Sequence, residues 1–289
     1  MLLATQLLPG RQQIEEELSV KKTICVLLVL TLSLSLCACG RQGGSAYGVH
    51  TIETLVEQEY SLAFRLNDPT ADFVIAALEV LSAEGKVDEL AIKWFGSKMI
   101  DFDANAKALD EVTEENFPRE FIVGVDINSF PMAYVSNDTY WGYDVELAIA
   151  VAEKLGWDLK IQAIEKENVY VELSSGNIDC AWGGIALDPK EVQQGLYLRY
   201  GPYVKNDIVV ATRNGTMLFN KLMLQGKCMA MCSTPEALEA LKKDARLERR
   251  LGQIMRLAGG TTQCFEYLFA GRCDAVLTDT TAIAYINCH

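Results

Sequence analysis

The chain has 289 residues, half of them apolar, and its 39 acidic and 26 basic side chains leave a net charge of −13. That length accommodates two ordinary domains, each with a real core. The sign of the charge argues against a nucleic-acid binder, which would present a basic face. The two histidines, His50 and His289, stand near expected loops or chain ends, and the nine cysteines lack regular metal spacing. No metal centre and no cofactor is expected.

Lys21-Lys22 followed by the apolar run Thr23 to Leu36 is a secretory signal pattern. The run is shorter than the roughly 20 residues a spanning helix needs. It ends Leu36-Cys37-Ala38-Cys39-Gly40, where the small Ala38 precedes Cys39, the cysteine expected to be acylated and to become the mature N-terminus. Residues 1–39 therefore read as a lipoprotein signal segment, with translation expected to start at Val20. The mature protein is expected outside the cytoplasm, lipid-anchored to the cell membrane.

Glu59 to Arg65 reads as a strand, Asn67-Asp68-Pro69 as a turn, and Phe73, Ala76, Ala77, Val80 and Leu81 as the apolar face of a helix that Gly85 ends. Leu90 to Phe95 is a second helix, closing in Lys93-Trp94-Phe95-Gly96. Ser97 to Pro118 holds six acidic residues and reads as a linker, with a helical turn expected around Ala104 to Val112.

From Phe121 to Gly184 strands and helices alternate, which implies a parallel sheet covered on both faces. The strands are Phe121–Val125, Leu159–Ile164 and Ile178–Trp182. The first helix opens at Gly142-Tyr143-Asp144, with Asp144 the expected N-cap, and closes at Gly156; the second runs Val169 to Ser175. In such sheets ligands sit beyond the carboxyl ends of the strands. The same alternation resumes later: strand Gly226–Met231, a helix from Ser233-Thr234-Pro235-Glu236 with capping-box spacing, strand Gln253–Leu257, helix Thr262–Phe269, strand Asp274–Leu277, and Asp279 leading into a helix at Thr281 to Ile286. Cys180 reads as a buried thiol, and the even set Cys180, Cys228, Cys232, Cys264, Cys273 and Cys288 permits disulfides without fixing their pairing.

Gly124-x-Asp126, Ser129-Phe130-Pro131-Met132, Gly142-Tyr143-Asp144-Val145-Glu146-Leu147-Ala148 and Ser175-Gly176-Asn177-Ile178-Asp179-Cys180 together resemble the first lobe of the family 3 extracellular solute-binding proteins, the polar-amino-acid receptors of ABC importers. The resemblance implies an α/β, two-lobed, type II periplasmic-binding-protein-like fold with a two-strand hinge, formed by Tyr60–Leu66 and Asp207–Arg213. Lys93-Trp94-Phe95-Gly96 is similar to that family's C-terminal end, yet here it precedes the first lobe, and the chain stops at His289 where such a tail would follow. A circular permutation accounts for both; a truncated tandem copy is the rival. The expected domains are residues 40–64 as a tether plus a strand completing lobe 2, 65–206 as lobe 1 with the linker 97–118 joining the former termini, and 207–289 as lobe 2.

By the same resemblance, Asp126, Ser129, Phe130, Gly183, Gly184, Ala186, Ser233, Thr234 and Asp279 are the expected ligand-binding residues. Ser233 and Thr234 would receive the ligand carboxylate at a helix N-terminus, and Asp279 the ammonium. Each of the three stands equally well as a helix cap. Lobe 1 departs from the family pattern. Ser129 stands where an aromatic is expected, with Phe130 one step on; no aromatic stands near Lys166; Ala186 replaces a threonine; and Glu191 takes the position of the carboxylate-clamping arginine. Phe130 is the expected wall of the cleft and Trp182 a core residue. The implied function is a substrate-binding lipoprotein that captures a small polar solute, an amino acid or related amine, for ABC permease subunits, with no nucleic acid involved. The alternatives are a dehydratase-like enzyme using Glu167 or Glu191, and a degenerate receptor acting as a protein-interaction module.

Overall fold

The computed structural model describes residues 48–289. The expected signal segment and lipidation site, Cys39, lie outside the described residues.

Two five-stranded mixed sheets organise the molecule. In the first, β3 (Glu120–Val125) lies between two parallel neighbours, β7 (Asp158–Ala163) and β8 (Cys180–Ala181). Beyond β8 come β2 (Glu59–Phe64), antiparallel, and then β9 (Leu198–Lys205), antiparallel to β2. In the second, β11 (Cys228–Cys232) lies between β12 (Gln253–Leu257) and β13 (Ala275–Asp279), both parallel to it. Beyond β13 come β10 (Ile208–Arg213), antiparallel, and β1 (Val49–Val56), antiparallel to β10. The two sheets therefore share one strand order. Their parallel members are continuous apolar runs such as Phe121-Ile122-Val123, as strands covered on both faces require.

Each sheet borrows its antiparallel strand from across the hinge: β2 arrives from β1, and β10 arrives from β9. The two crossovers run side by side. Asn206 N donates to Gln58 O at 2.9 Å, and Gln58 N donates to Asp207 Oδ1 at 3.4 Å. Asn206 is fully buried there, with its Oδ1 accepting from Thr281 N at 2.9 Å and its Nδ2 donating to the Tyr60 hydroxyl. The segment 40–64, expected to complete lobe 2, divides. Val49–Val56 joins the second sheet, whereas Glu59–Phe64 belongs to the first, so lobe 1 starts at β2. The correction follows from packing: Tyr60, Leu62 and Phe64 sit in one core with Phe121, Val123 and Trp182.

Helices α1 (Thr70–Ala83) and α2 (Lys86–Phe95) cover the first sheet. Phe73, Val74, Leu78 and Leu81 of α1 join its core. At the end of α2, Lys93 Nζ lies 2.6 Å from Glu146, Trp94 Nε1 donates to the same carboxylate at 3.2 Å, and Phe95 packs 5.3 Å from Tyr143. The segment 59–96 thus seats on the Phe121–Trp182 layer. The linker 97–118 is strapped down. Phe102 stacks on Tyr203 at 5.1 Å, Asp101 N donates to Tyr203 O, and Asn116 accepts from Trp157 Nε1 at 2.7 Å. Its helical turn, α3, is limited to Ala108–Glu111.

The structure adds one small sheet and corrects two cap assignments. The loop after Asp126 contains a small antiparallel sheet of β4 (Asn128–Ser129), β5 (Ala133–Ser136) and β6 (Thr139–Trp141). Its β5–β6 turn is Asn137-Asp138, both with positive φ, the hairpin chemistry such residues favour. Helix α4 (Tyr143–Leu155) is capped by Gly142, not Asp144. Helix α7 (Pro235–Lys243) is capped by Thr234, not Ser233, because Thr234 Oγ1 accepts from Ala237 N and Pro235 fills the first helical position. The remaining helices are α5 (Val169–Ser175), α6 (Pro189–Gln194), α8 (Ala245–Arg250), α9 (Gly260–Phe269) and α10 (Thr280–Cys288). The last of these returns beside the first strand: Val49 N donates to Asn287 Oδ1 at 2.8 Å, and Asn287 Nδ2 donates to Val49 O at 3.0 Å.

Candidate functional site

The carboxyl ends of the parallel strands of both sheets converge on the hinge. Asp126 follows β3, Lys166 follows β7, Thr234 and Glu236 follow β11, and Asp279 ends β13. All five line one inner cavity of about 60 Å³. A larger groove of about 920 Å³ adjoins it, sharing Lys166, Glu167, Ile208 and Glu236 in its walls and adding Ala186 and Glu191.

Burial first, then the nearby Glu236, pushes the Asp126 carboxyl up, and one backbone donor, Asn128 N at 2.9 Å, partly opposes this. Asp279 is pushed well above its ordinary value by burial first, then by Glu236, Cys232 and Asp126, with Lys166 opposing. Although Asp279 occupies the N-cap position of α10, its side chain caps nothing. The capping alternative therefore fails for Asp279 and holds for Thr234. Lys166 Nζ reaches across the cleft to Glu236 Oε1 at 2.7 Å and ties the two lobes.

The other expected site residues have different neighbours. Ser129 is buried, and its Oγ donates to Gly184 O at 2.8 Å. Gly184 has φ +66°, and an added Cβ would stand 2.3 Å from that of Ser129, so the close approach demands glycine. Gly183 backs onto Val125. These three hold the loop after β8 in place and do not line the cavity. Phe130 is buried edge-on between Tyr134 at 5.1 Å and Tyr285 of α10 at 4.9 Å, an aromatic joint between the lobes. Ser233 is exposed, with its backbone N–H given to Leu257 O. Trp182 is fully buried core. Glu191 stands in the first turn of α6, its carboxyl pushed up by burial first and by Asp188 second.

A buried hub behind the site is absent from the sequence reading. The Asp144 carboxylate accepts from Gly184 N at 2.8 Å, the Tyr203 hydroxyl at 2.7 Å and Trp182 Nε1 at 3.2 Å. Burial raises it to about 7 in spite of those donors. Its position in Gly-Tyr-Asp suggested a cap; Gly142, with φ +136°, takes that role and turns Asp144 inward. Glu236 was likewise hidden by its capping-box spacing. Cys232 lines the cavity with its sulfur 3.9 Å from that of Cys264, and that neighbour first, then Thr261, lowers its thiol to about 7. The six described cysteines are free thiols.

Residues 121–256, from β3 into β12, match the model of bacterial extracellular solute-binding proteins, family 3. Over that stretch, a little under half of its length, the chain is similar to this solute-binding family. An arginine-binding extracellular protein, ArtP of Bacillus subtilis (strain 168), is 29% identical over 80 residues, 28% of this chain and 31% of the relative. A probable amino-acid-binding protein of the same organism, YxeM, is 26% identical over 164 residues, 56% of this chain and 60% of the relative. The chain thus spans about a third of one relative and three-fifths of the other. Among solved structures, a polar amino acid ABC uptake transporter substrate binding protein from Streptococcus thermophilus is 26% identical with a TM-score of 0.43, covering 55% of this chain and 61% of that one.

Proposed function

We propose that this protein is the substrate-binding lipoprotein of an ABC importer, anchored outside the cytoplasm through Cys39, and that it captures a small polar solute between its lobes for permease subunits. The observation that carries the reading is the convergence of strand ends from both sheets on one polar cavity at the hinge, lined by Asp126, Thr234 and Asp279. That is where open α/β sheets place ligands. Ser129, Gly183 and Gly184 support the cavity wall from behind, Phe130 joins the lobes beside it, and Ala186 and Glu191 face the outer groove. The solute-binding family supplies the importer context. No helix among the described residues is long and apolar enough to cross a membrane.

We further propose that the order of the chain is circularly permuted. The reading is supported by the adjacency of Val49 and Asn287, by the seating of 59–96 on lobe 1, and by a linker that spans lobe 1 where free ends would otherwise lie.

The test is thermal unfolding of the protein against a library of small polar solutes. A ligand that binds only the folded state at about 100 times its Kd stabilises by about 2.7 kcal/mol, and a receptor returns that compound unaltered by mass spectrometry. Consumption of the compound would favour the dehydratase-like alternative. A flat response across the library would leave the protein-interaction module.

A further inference from the structure

We infer that the solute is an amine or guanidine that carries no carboxylate, an inference that rests on the solute-binding reading above. The inner cavity is lined by five carboxylates, of Asp126, Glu165, Glu167, Glu236 and Asp279, and by a single cationic side chain, Lys166. That lysine is already committed to Glu236 at 2.7 Å. Nothing cationic remains in the cavity to meet an anionic group.

The helix start at the cavity offers no substitute. Pro235 has no N–H to give, the Thr234 hydroxyl oxygen accepts from Ala237 N and keeps only a neutral O–H to donate, and Glu236 places a negative charge in the same turn. In the outer groove, Arg199 is paired with Glu59 at 2.6 Å and Lys205 with Asp207 at 3.4 Å. Lys243 closes the far end of α7, about 12 Å along the axis from Pro235 at 1.5 Å per residue. A carboxylate entering here would face Asp279, Glu236 and Asp126 without a counter-charge, and like charges so placed repel.

A cation meets the opposite situation. Asp279 caps nothing, Asp126 has one backbone donor, and the two carboxylates face one cavity from opposite lobes. An ammonium or guanidinium between them would neutralise both at once and draw the lobes together. The Lys166 ammonium already makes one such bridge, to Glu236. The ligand class is therefore a diamine or guanidino-amine, recognised at both ends by carboxylates.

The experiment titrates the full chain with L-arginine, its decarboxylated form agmatine, L-ornithine, its decarboxylated form putrescine, and L-glutamine, by calorimetry and melting. Each decarboxylated compound is expected to bind at least about 10-fold more tightly than its parent amino acid, equivalent to 1.4 kcal/mol. Asp279→Asn is expected to weaken the amine at least about 30-fold, as loss of one partner of a desolvated charge pair does, while melting no lower than the parent without ligand. An α-amino acid that binds as tightly as its decarboxylated form overturns the inference and leaves the receptor reading standing. No binding by any of the five, together with none across the wider library, overturns both. Unchanged amine affinity in Asp279→Asn removes the two-carboxylate site.

Discussion

Asp144 is where residue-level chemistry is most exposed to test. Its carboxylate lies in a fully buried position among three donors and is raised from an ordinary 3.8 to about 7. Between those two values the native state keeps a proton that the unfolded chain has released. The stability this group contributes is therefore complete below its unfolded value and is lost as pH rises toward 7. In Asp144→Asn the amide N–H meets one of the three donors head-on, a loss of about 1–3 kcal/mol for an unsatisfied buried pair. The variant should be less stable than the parent at pH 5, with the gap narrowing toward pH 8. Urea unfolding at the two pH values measures this, and parallel losses at both would show that Asp144 does not titrate in this range. Nothing in the residues Gly142-Tyr143-Asp144 distinguishes a cap from an inward hub. The difference rests on Tyr203, 59 residues away, whose hydroxyl closes the network.

At the scale of elements, the linker 97–118 shows which part of a connection carries weight. Phe102 is buried against Tyr203 and Tyr200, whereas Glu114 and Glu115 are exposed. Phe102→Ala is expected to cost about 3–5 kcal/mol, as loss of a packed aromatic does. Replacing Glu114 and Glu115 together by serine should change stability by no more than about 0.5 kcal/mol per site. Equal effects in denaturant unfolding would mean that the strap is not held by its aromatic anchor. Composition alone made this stretch look like an acidic tether, because Ile100 and Phe102 are outnumbered by carboxylates. Helices and parallel strands were legible from their periodicity and punctuation, as at Val145 to Leu155 before Gly156. The β5–β6 hairpin carries a local signal in Asn137-Asp138, but its strands are only four and three residues long, too short for alternation to show. The sheet to which Glu59–Phe64 belongs was not legible: only Glu57-Gln58 separates it from β1, and nothing local says that the chain changes sheets there.

At the scale of the molecule, strand order makes a prediction about chain order. With Val49 and Asn287 hydrogen-bonded to each other, a short link from His289 to Gly48 and new ends opened between Glu115 and Phe117 should yield a chain that folds to the same two lobes. Its melting midpoint should fall within a few degrees of the parent, and it should bind the same compound. A reordered chain that unfolds without cooperativity would show that the native order is required, and the permutation reading would fail. The two-lobed layout was readable because strands and helices alternate in both 121–184 and 226–286. The charge balance of the cleft was not. Lys166 and Glu236 are 70 positions apart on different lobes, and their meeting is set only by how the hinge brings the strand ends together.

The neighbouring ends have one practical outcome. Because both belong to the second lobe, a pair of dyes fixed at Val49 and Asn287 would report a constant, short separation whatever the first lobe does. A ruler for opening and closing must instead straddle the hinge, for example from the exposed Tyr170 on α5 to Lys242 on α7.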